Sequence, residues 1–403
     1  MAMGKTRRAI TIHFPRFEGL RDANYARHKS GATLARFQLY LDTAKRLGYD
    51  IVRSGAVFSV YAKHPDPKVI PYDPWPQVNP LVDLVARSGL GLVCNIAANP
   101  WRDNWSQLAG FQGPNEEIWR WWNKEAGADT YDRWRQANWP NERRPPRALW
   151  PAMRLAYQAM IDEIIRRWQR AGRKSSELEF SFWQEPDGAS GHDPRTGLQA
   201  GWDSAFHQMM NFMLVGDGAL DFHECRLWSP AFASGEKQAF RLIHEAAESA
   251  DPYWSRFGGL AYNLYRLDLG PTPDRWVEGM VKRAKQDGGA FRLKATHYGP
   301  KPLAIHEFGV TPFNLGRSSS DEVVGERLAQ CEQALIETGL FEFVTVYSLN
   351  DDAANADSDP NIQWGFTTSN ERPVADWYRR LQGYARAWGI DAYDVAPPSG
   401  RWL

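Results

Sequence analysis

Two glutamates close apolar, strand-like runs: Glu185 in Phe182-Trp183-Gln184-Glu185-Pro186-Asp187-Gly188, and Glu307 in Ile305-His306-Glu307-Phe308-Gly309. Two carboxyl groups facing one bond can cleave a glycosidic linkage. One protonates the leaving oxygen, and the other attacks the anomeric carbon or activates water. A single glutamate at a strand end more often belongs to a surface ion pair. What gives these two weight is their order and their placement at the ends of two different strands, where a (β/α)8 barrel carries its reactive groups.

Eight strand-like runs alternate with helix-like runs, the pattern of a parallel sheet with helical crossovers. The strands are predicted at Ala9 to Phe14, Ile51 to Ser59, Gly91 to Ala97, Leu178 to Trp183, Glu224 to Trp228, Gly259 to Tyr265, Leu303 to His306 and Phe341 to Leu349. Most are apolar throughout, as strands buried on both faces must be. Period-3.6 spacing predicts helices over Ala32 to Leu47, Pro80 to Arg87, Trp150 to Arg170, Trp202 to Leu214, Glu236 to Glu248, Asp274 to Gln286, Asp321 to Thr338 and Val374 to Trp388. The expected fold is therefore α/β, a (β/α)8 TIM barrel forming one catalytic domain over 1–390, with a surface tail over 391–403.

One connection is far longer than such loops usually are. Residues 99–150 separate the third strand from its helix and hold eight of the chain's 19 tryptophans, Trp101 among them. A βα loop projects from the active-site face, and indole faces stack on sugar C–H faces. Most of these rings are expected to form a small core holding the insertion together, with a few lining a sugar groove.

Composition narrows the partners. The chain has 403 residues, with 48 basic and 48 acidic side chains. Balanced charge without long runs of one sign points away from nucleic acid and from membrane surfaces, and toward an uncharged polar ligand such as a carbohydrate. Cys94, Cys225 and Cys331 are odd in number and far apart, which fits neither a disulfide framework nor a metal site. His306-Glu307 lacks the second spaced histidine of a zinc hydrolase, and the aspartates at 351, 352, 357 and 359 lack the spacing of a calcium loop. No metal or other cofactor is expected. No run reaches the roughly 20 apolar residues of a membrane helix. The basic N-terminus leads straight into a strand without an apolar signal region, so a cytoplasmic chain is expected, or an exported one whose leader lies outside this sequence.

At these motifs the chain resembles glycoside hydrolase clan A, the retaining (β/α)8 glycosidases, and more loosely family 39 within it. The clan's acid/base ends strand four in a Trp-Asn-Glu-Pro-like motif, matched by Trp183, Gln184, Glu185 and Pro186. Its nucleophile ends strand seven, matched by Glu307, Phe308 and Gly309. The resemblance implies that Arg53 on strand two supports the nucleophile, since a nearby cation favours an ionised carboxylate. It also implies that Tyr265 hydrogen-bonds the nucleophile, with Asn263 standing where clan members commonly have histidine. Gln184 replaces the usual asparagine before the acid/base, moving the amide outward by one methylene. Tyr347 to Asp352, Gln363-Trp364-Gly365-Phe366 and Arg372-Pro373-Val374 resemble the clan's last strand, its Trp-Gly turn and the start of its final helix, with Tyr347 or Asn350 in place of the common tryptophan platform. His306 and Trp228 are further candidates for substrate contact. The implied activity is hydrolysis of an oligo- or polysaccharide by double displacement, with Glu185 as acid/base and Glu307 as nucleophile. Transglycosylation by the same residues, and a catalytically silent carbohydrate-binding barrel, are the alternatives.

Overall fold

The computed structural model describes residues 5–12, 23–54, 75–96, 150–182, 209–231, 252–265, 273–295, 301–310, 315, 319–349, 365–366 and 377–391. Their order is β1 (Arg7–Ile12), α1 (Ala23–Arg46), β2 (Ile51–Ser54), α2 (Trp75–Ser88), β3 (Gly91–Ile96), α3 (Trp150–Arg170), β4 (Leu178–Phe182), β5 (Arg226–Trp228), β6 (Leu260–Leu264), α4 (Pro273–Ala295), β7 (Leu303–Phe308), α5 (Asp321–Glu337), β8 (Phe343–Val346) and α6 (Trp377–Ala387). The strands form one sheet in the order β5-β4-β3-β2-β1-β8-β7-β6, a nearly closed parallel barrel with helices between the strands. Gly258 donates its N–H to the Leu227 carbonyl of β5 at 2.7 Å.

Strand burial explains the apolar runs. Every residue of β2, β4, β6, β7 and β8 is buried. Such a strand needs apolar side chains on both faces, apart from polar groups that find partners. The Trp150 to Arg170 helix runs as the sequence periodicity predicts. α1 begins at Ala23, nine residues before its predicted start, because the segment Ala23 to Gly31 carries no apolar period to mark it. β7 continues two residues past its predicted end at His306, through Glu307 and Phe308.

The chain divides into two compact units, one of 1–55, 84–93 and 259–403, the other of 56–83 and 94–258. In the first, Ser320 caps α5 by accepting the Val323 N–H at 3.4 Å, and Asp321 and Glu322 complement the helix N-terminus. Glycines let α5 and α6 touch: a Cβ on Gly325 would lie 1.9 Å from the Arg380 carbonyl oxygen, and one on Gly383 would lie 2.1 Å from that of Glu322. Beneath β1, Arg8 binds both oxygens of Glu332 at 3.3 and 3.1 Å and the Leu47 carbonyl at 2.7 Å, and its guanidinium stacks on the Trp388 ring at 3.7 Å.

In the second unit, Phe182 of β4 meets Tyr157 of α3 edge to face at 5.5 Å, and Phe180 packs on Phe222. These rings mark one face of β4 as the helix-facing side. Glu179 and Ser181 alternate onto the other. No described helix is long and apolar enough to cross a membrane.

Candidate active site

Regular alternation would misplace Glu307. In register, Ala304 pairs with Ala261 on β6 and Phe343 on β8, and Ile305 pairs with Tyr262 and Val344. Partners in parallel strands share a face, so Ala304 lies on one face and Ile305 on the other. Two further steps would put Glu307 beside Ile305. Instead the register slips by one: Asn263 pairs with Glu307, and Phe308 with Val346. His306 is the extra residue of a β-bulge. A bulge re-aims side chains, and here it turns His306 and Glu307, adjacent in sequence, onto the face shared by Ala304, Asn263 and Phe343.

That face is the inside of the barrel. Glu307 meets Arg53 of β2, although β1 and β8 lie between β2 and β7 in the sheet. Side chains three strands apart, roughly 14 Å along the sheet, can touch only across its concave side. Arg53 Nη1 donates to Glu307 Oε1 at 2.7 Å and to Thr11 Oγ1 at 3.5 Å. On the other oxygen, Asn263 Nδ2 and the Tyr265 hydroxyl donate to Oε2 at 3.3 and 3.0 Å. Alternation on β6 makes this convergence possible, because residues 263 and 265 share a face. The carboxylate thus takes donors from three residues on two other strands and a strand end.

Burial grades across the site. Arg53 is fully buried, and Glu307 and Asn263 are nearly so, at 2% and 3% exposure, whereas Tyr265 and Tyr347 are partly exposed. These tyrosines pack edge to face with ring centres 6.3 Å apart. The strand ends that carry Glu307, Asn263 and Tyr265 are the carboxyl ends, the side on which barrel chemistry is conducted.

His306 lies deeper. Its ring is fully buried and stacks on Phe343 at 5.4 Å with 19° between planes. Burial, and then the charge of Arg53, hold its pKa well below the ordinary histidine value, so the imidazole is neutral. Trp228 is also fully buried, and its indole N–H donates to Glu179 at 2.5 Å. Glu179 is a buried carboxylate that the sequence reading passed over; its charge inside an apolar strand, next to Phe180, was the available signal. Trp183, Gln184, Glu185, Asn350, Trp101 and the rest of the insertion, the predicted 236–248 helix and nearly all of the tail lie outside the described residues. Among the described residues no group of three or more His, Cys, Asp and Glu could hold a metal ion.

No protein-family model and no curated protein sequence matches the chain. Solved structures resemble it over most of its length. GH5_18 from Streptomyces cattleya, solved in complex with GlcNAc, is 14% identical, with 96% of this chain and 81% of that one covered and a TM-score of 0.53. A GH5_18 variant from Bifidobacterium longum subsp. longum, solved in complex with Manβ1-4GlcNAc, is 12% identical over 94% of this chain and 79% of its own, with a TM-score of 0.54. The chain shares the barrel fold of these proteins.

Proposed function

We propose that the protein is a retaining glycoside hydrolase in which Glu307 is the nucleophile and Glu185 the acid/base. The observation that carries this reading is the grip on Glu307: a carboxylate turned into the barrel by a bulge, with Arg53 on one oxygen and Asn263 and Tyr265 on the other. A carboxylate fixed in this way needs no reorganisation to attack a ring carbon, which is where preorganised sites gain most of their rate. The role of Glu185 rests on its Trp-Gln-Glu-Pro motif and its place after β4.

In the first step a Glu307 oxygen bonds to the anomeric carbon as the bond to the leaving oxygen breaks, and Glu185 gives that oxygen its proton. In the second, Glu185 takes a proton from water, whose oxygen displaces Glu307 from the same carbon. Two inversions give net retention. The fold is shared with structures solved with GlcNAc and Manβ1-4GlcNAc, so aryl β-mannosides, aryl β-glucosides and Manβ1-4GlcNAc come first in a substrate panel.

The test is hydrolysis of that panel, widened to plant and bacterial polysaccharides, by the wild type, Glu185→Gln and Glu307→Gln, with product anomers followed by NMR. Retained configuration with both variants inactive is expected. Inverted product would reject double displacement. Sugar rather than water as the acceptor would make the protein a transglycosylase, and carbohydrate binding without turnover would make it a silent binder.

A further inference from the structure

We propose that His306 is a positioning residue: its ring, stacked on Phe343, pins the β7 bulge and thereby aims Glu307 at Arg53 and Asn263. This rests on the reading of Glu307 as the nucleophile and adds to it a residue outside the carboxylate's own hydrogen-bond set.

The argument begins with register. Without the extra residue, β7 would continue its alternation from Ala304, and Glu307 would share a face with Ile305 and point away from Arg53. Something must hold the slip in place, because a bulge gives up ladder pairing that a regular strand keeps. His306 is the residue that slips. Its ring lies nearly parallel to Phe343, which belongs to β8 and pairs with Ala304 two residues earlier. The stack therefore ties the bulged residue to the strand on one side, while the Asn263–Glu307 bond ties its neighbour to the strand on the other. Released from either tie, the strand can return to regular pairing.

Electrostatics explain why an imidazole can occupy this place. The ring is fully enclosed with Arg53 nearby, and burial and that cation both disfavour its charged form. A neutral ring leaves Arg53 free to direct its charge at Glu307. Among the described residues, the charge that acts on the ring is that of Arg53 from β2, and Phe343 of β8 stacks on it.

Three variants test the inference. His306→Ala removes the ring, His306→Phe keeps a ring of similar size without the nitrogens, and Phe343→Leu keeps bulk on the facing strand but removes the stack. His306→Ala should lose about 30- to 100-fold in kcat, the scale of an ångström-size misplacement of a reacting group, with KM within about threefold of wild type. His306→Phe should recover to within about fivefold of wild type, and Phe343→Leu should lose at least about fivefold in kcat. The acid limb of the kcat/KM profile should stay in place in His306→Phe, because the wild-type ring carries no charge to lose.

A His306→Ala protein with wild-type kcat overturns the inference, as does a His306→Phe protein no better than His306→Ala. If His306→Ala does not fold, Phe343→Leu carries the test, and wild-type kcat there overturns it equally. Crystal structures of the same variants test the aim of Glu307 without any substrate, so the outcome is separable from the assignment of activity. The Arg53–Glu307 and Asn263–Glu307 bonds should be lost in His306→Ala and kept in His306→Phe. A His306→Ala structure retaining both bonds overturns the inference even if the protein is a glycosidase. The predicted loss and recovery of these bonds in a protein with no turnover on any glycoside would instead reject the glycosidase reading alone.

Discussion

Two arginine–glutamate pairs lie in the same unit of the chain, each with a buried glutamate, and they are built for different ends. Arg8, at the amino end of β1, pairs with Glu332 of α5, and the pair is saturated. Every guanidinium nitrogen of Arg8 has an acceptor, and Glu332 also accepts from Tyr384 and from the Trp388 indole. Arg53 and Glu307 lie at the carboxyl ends. There Arg53 uses Nη1 alone, and neither its Nε nor its Nη2 has a hydrogen-bond partner among the described residues. Buried donors without partners are rare enough to need a reason. The saturated pair has no capacity left for a ligand and serves the fold; the other keeps donors in reserve beside a carboxylate that three groups orient. This division matches the general rule that barrels are stabilised at one end and do chemistry at the other.

The titration of the two regions differs as well. Burial pushes the Glu332 carboxyl up, against the pull of Arg8, Tyr384 and Trp388. Burial alone would lower the Arg8 pKa, but Tyr384, Glu332 and Tyr49 raise it, so Arg8 stays a cation. In the other region the titrating group is His306, which burial and Arg53 hold neutral.

The comparison breaks first at the carboxylates. Glu307→Gln should lower kcat on any glycoside substrate by on the order of 10³-fold or more while leaving a folded protein, measured by steady-state kinetics alongside thermal unfolding. Glu332→Gln should do the reverse. It leaves the partly buried Arg8 without its counter-charge and should destabilise by about 3 kcal/mol, the low end for breaking a buried pair, read from denaturant unfolding, with kcat per folded molecule unchanged. Loss of activity from the Glu332 change at full folding, or loss of stability alone from the Glu307 change, would erase the distinction.

Smaller changes sharpen it. Tyr265→Phe deletes one of three donors to Glu307 and should cost about tenfold in kcat, equivalent to roughly 1.4 kcal/mol of transition-state stabilisation. Arg8→Lys keeps the charge but loses the fork and the stacking on Trp388, and should cost about 1 to 3 kcal/mol of stability with no kinetic effect. The smallest effect is one of pH. The folded-state pKa of His306 lies below its unfolded value of 6.5, so its contribution is complete above that pH. Stability falls on acidification, by up to about 1.4 kcal/mol per unit below it. His306→Phe should flatten that slope in unfolding curves between pH 7 and 5.

Much of this was legible in the sequence. Apolar runs at barrel spacing marked the strands because strands buried on both faces must be apolar, and the Asn263-Leu264-Tyr265 spacing marked two residues for one face. Glu307 stands out in the sequence by its motif, not by its facing. A bulge depends on pairing with two other strands, so no pattern within Ile305 to Phe308 could reveal that His306 and Glu307 turn the same way. The Arg8–Glu332 pair escaped for the same reason. Glu332 sits on α5 like any surface glutamate, and its burial depends on α6, β1 and the Gly325–Gly383 approach, which are brought together only in three dimensions. Trp228 is a candidate sugar contact in the sequence, and its indole N–H donates to Glu179, a carboxylate inside an otherwise largely apolar strand whose pairing only the fold reveals.

The most direct test of Glu307 as nucleophile is mass spectrometry of the protein after incubation with 2-deoxy-2-fluoro glycosyl fluorides matched to whichever sugar the panel shows it to cleave. The account predicts one covalently attached fluorosugar per chain, mapped to the peptide containing Glu307 and absent from Glu307→Gln. An active enzyme that releases product with inverted configuration, or carries the label on another residue, would contradict it.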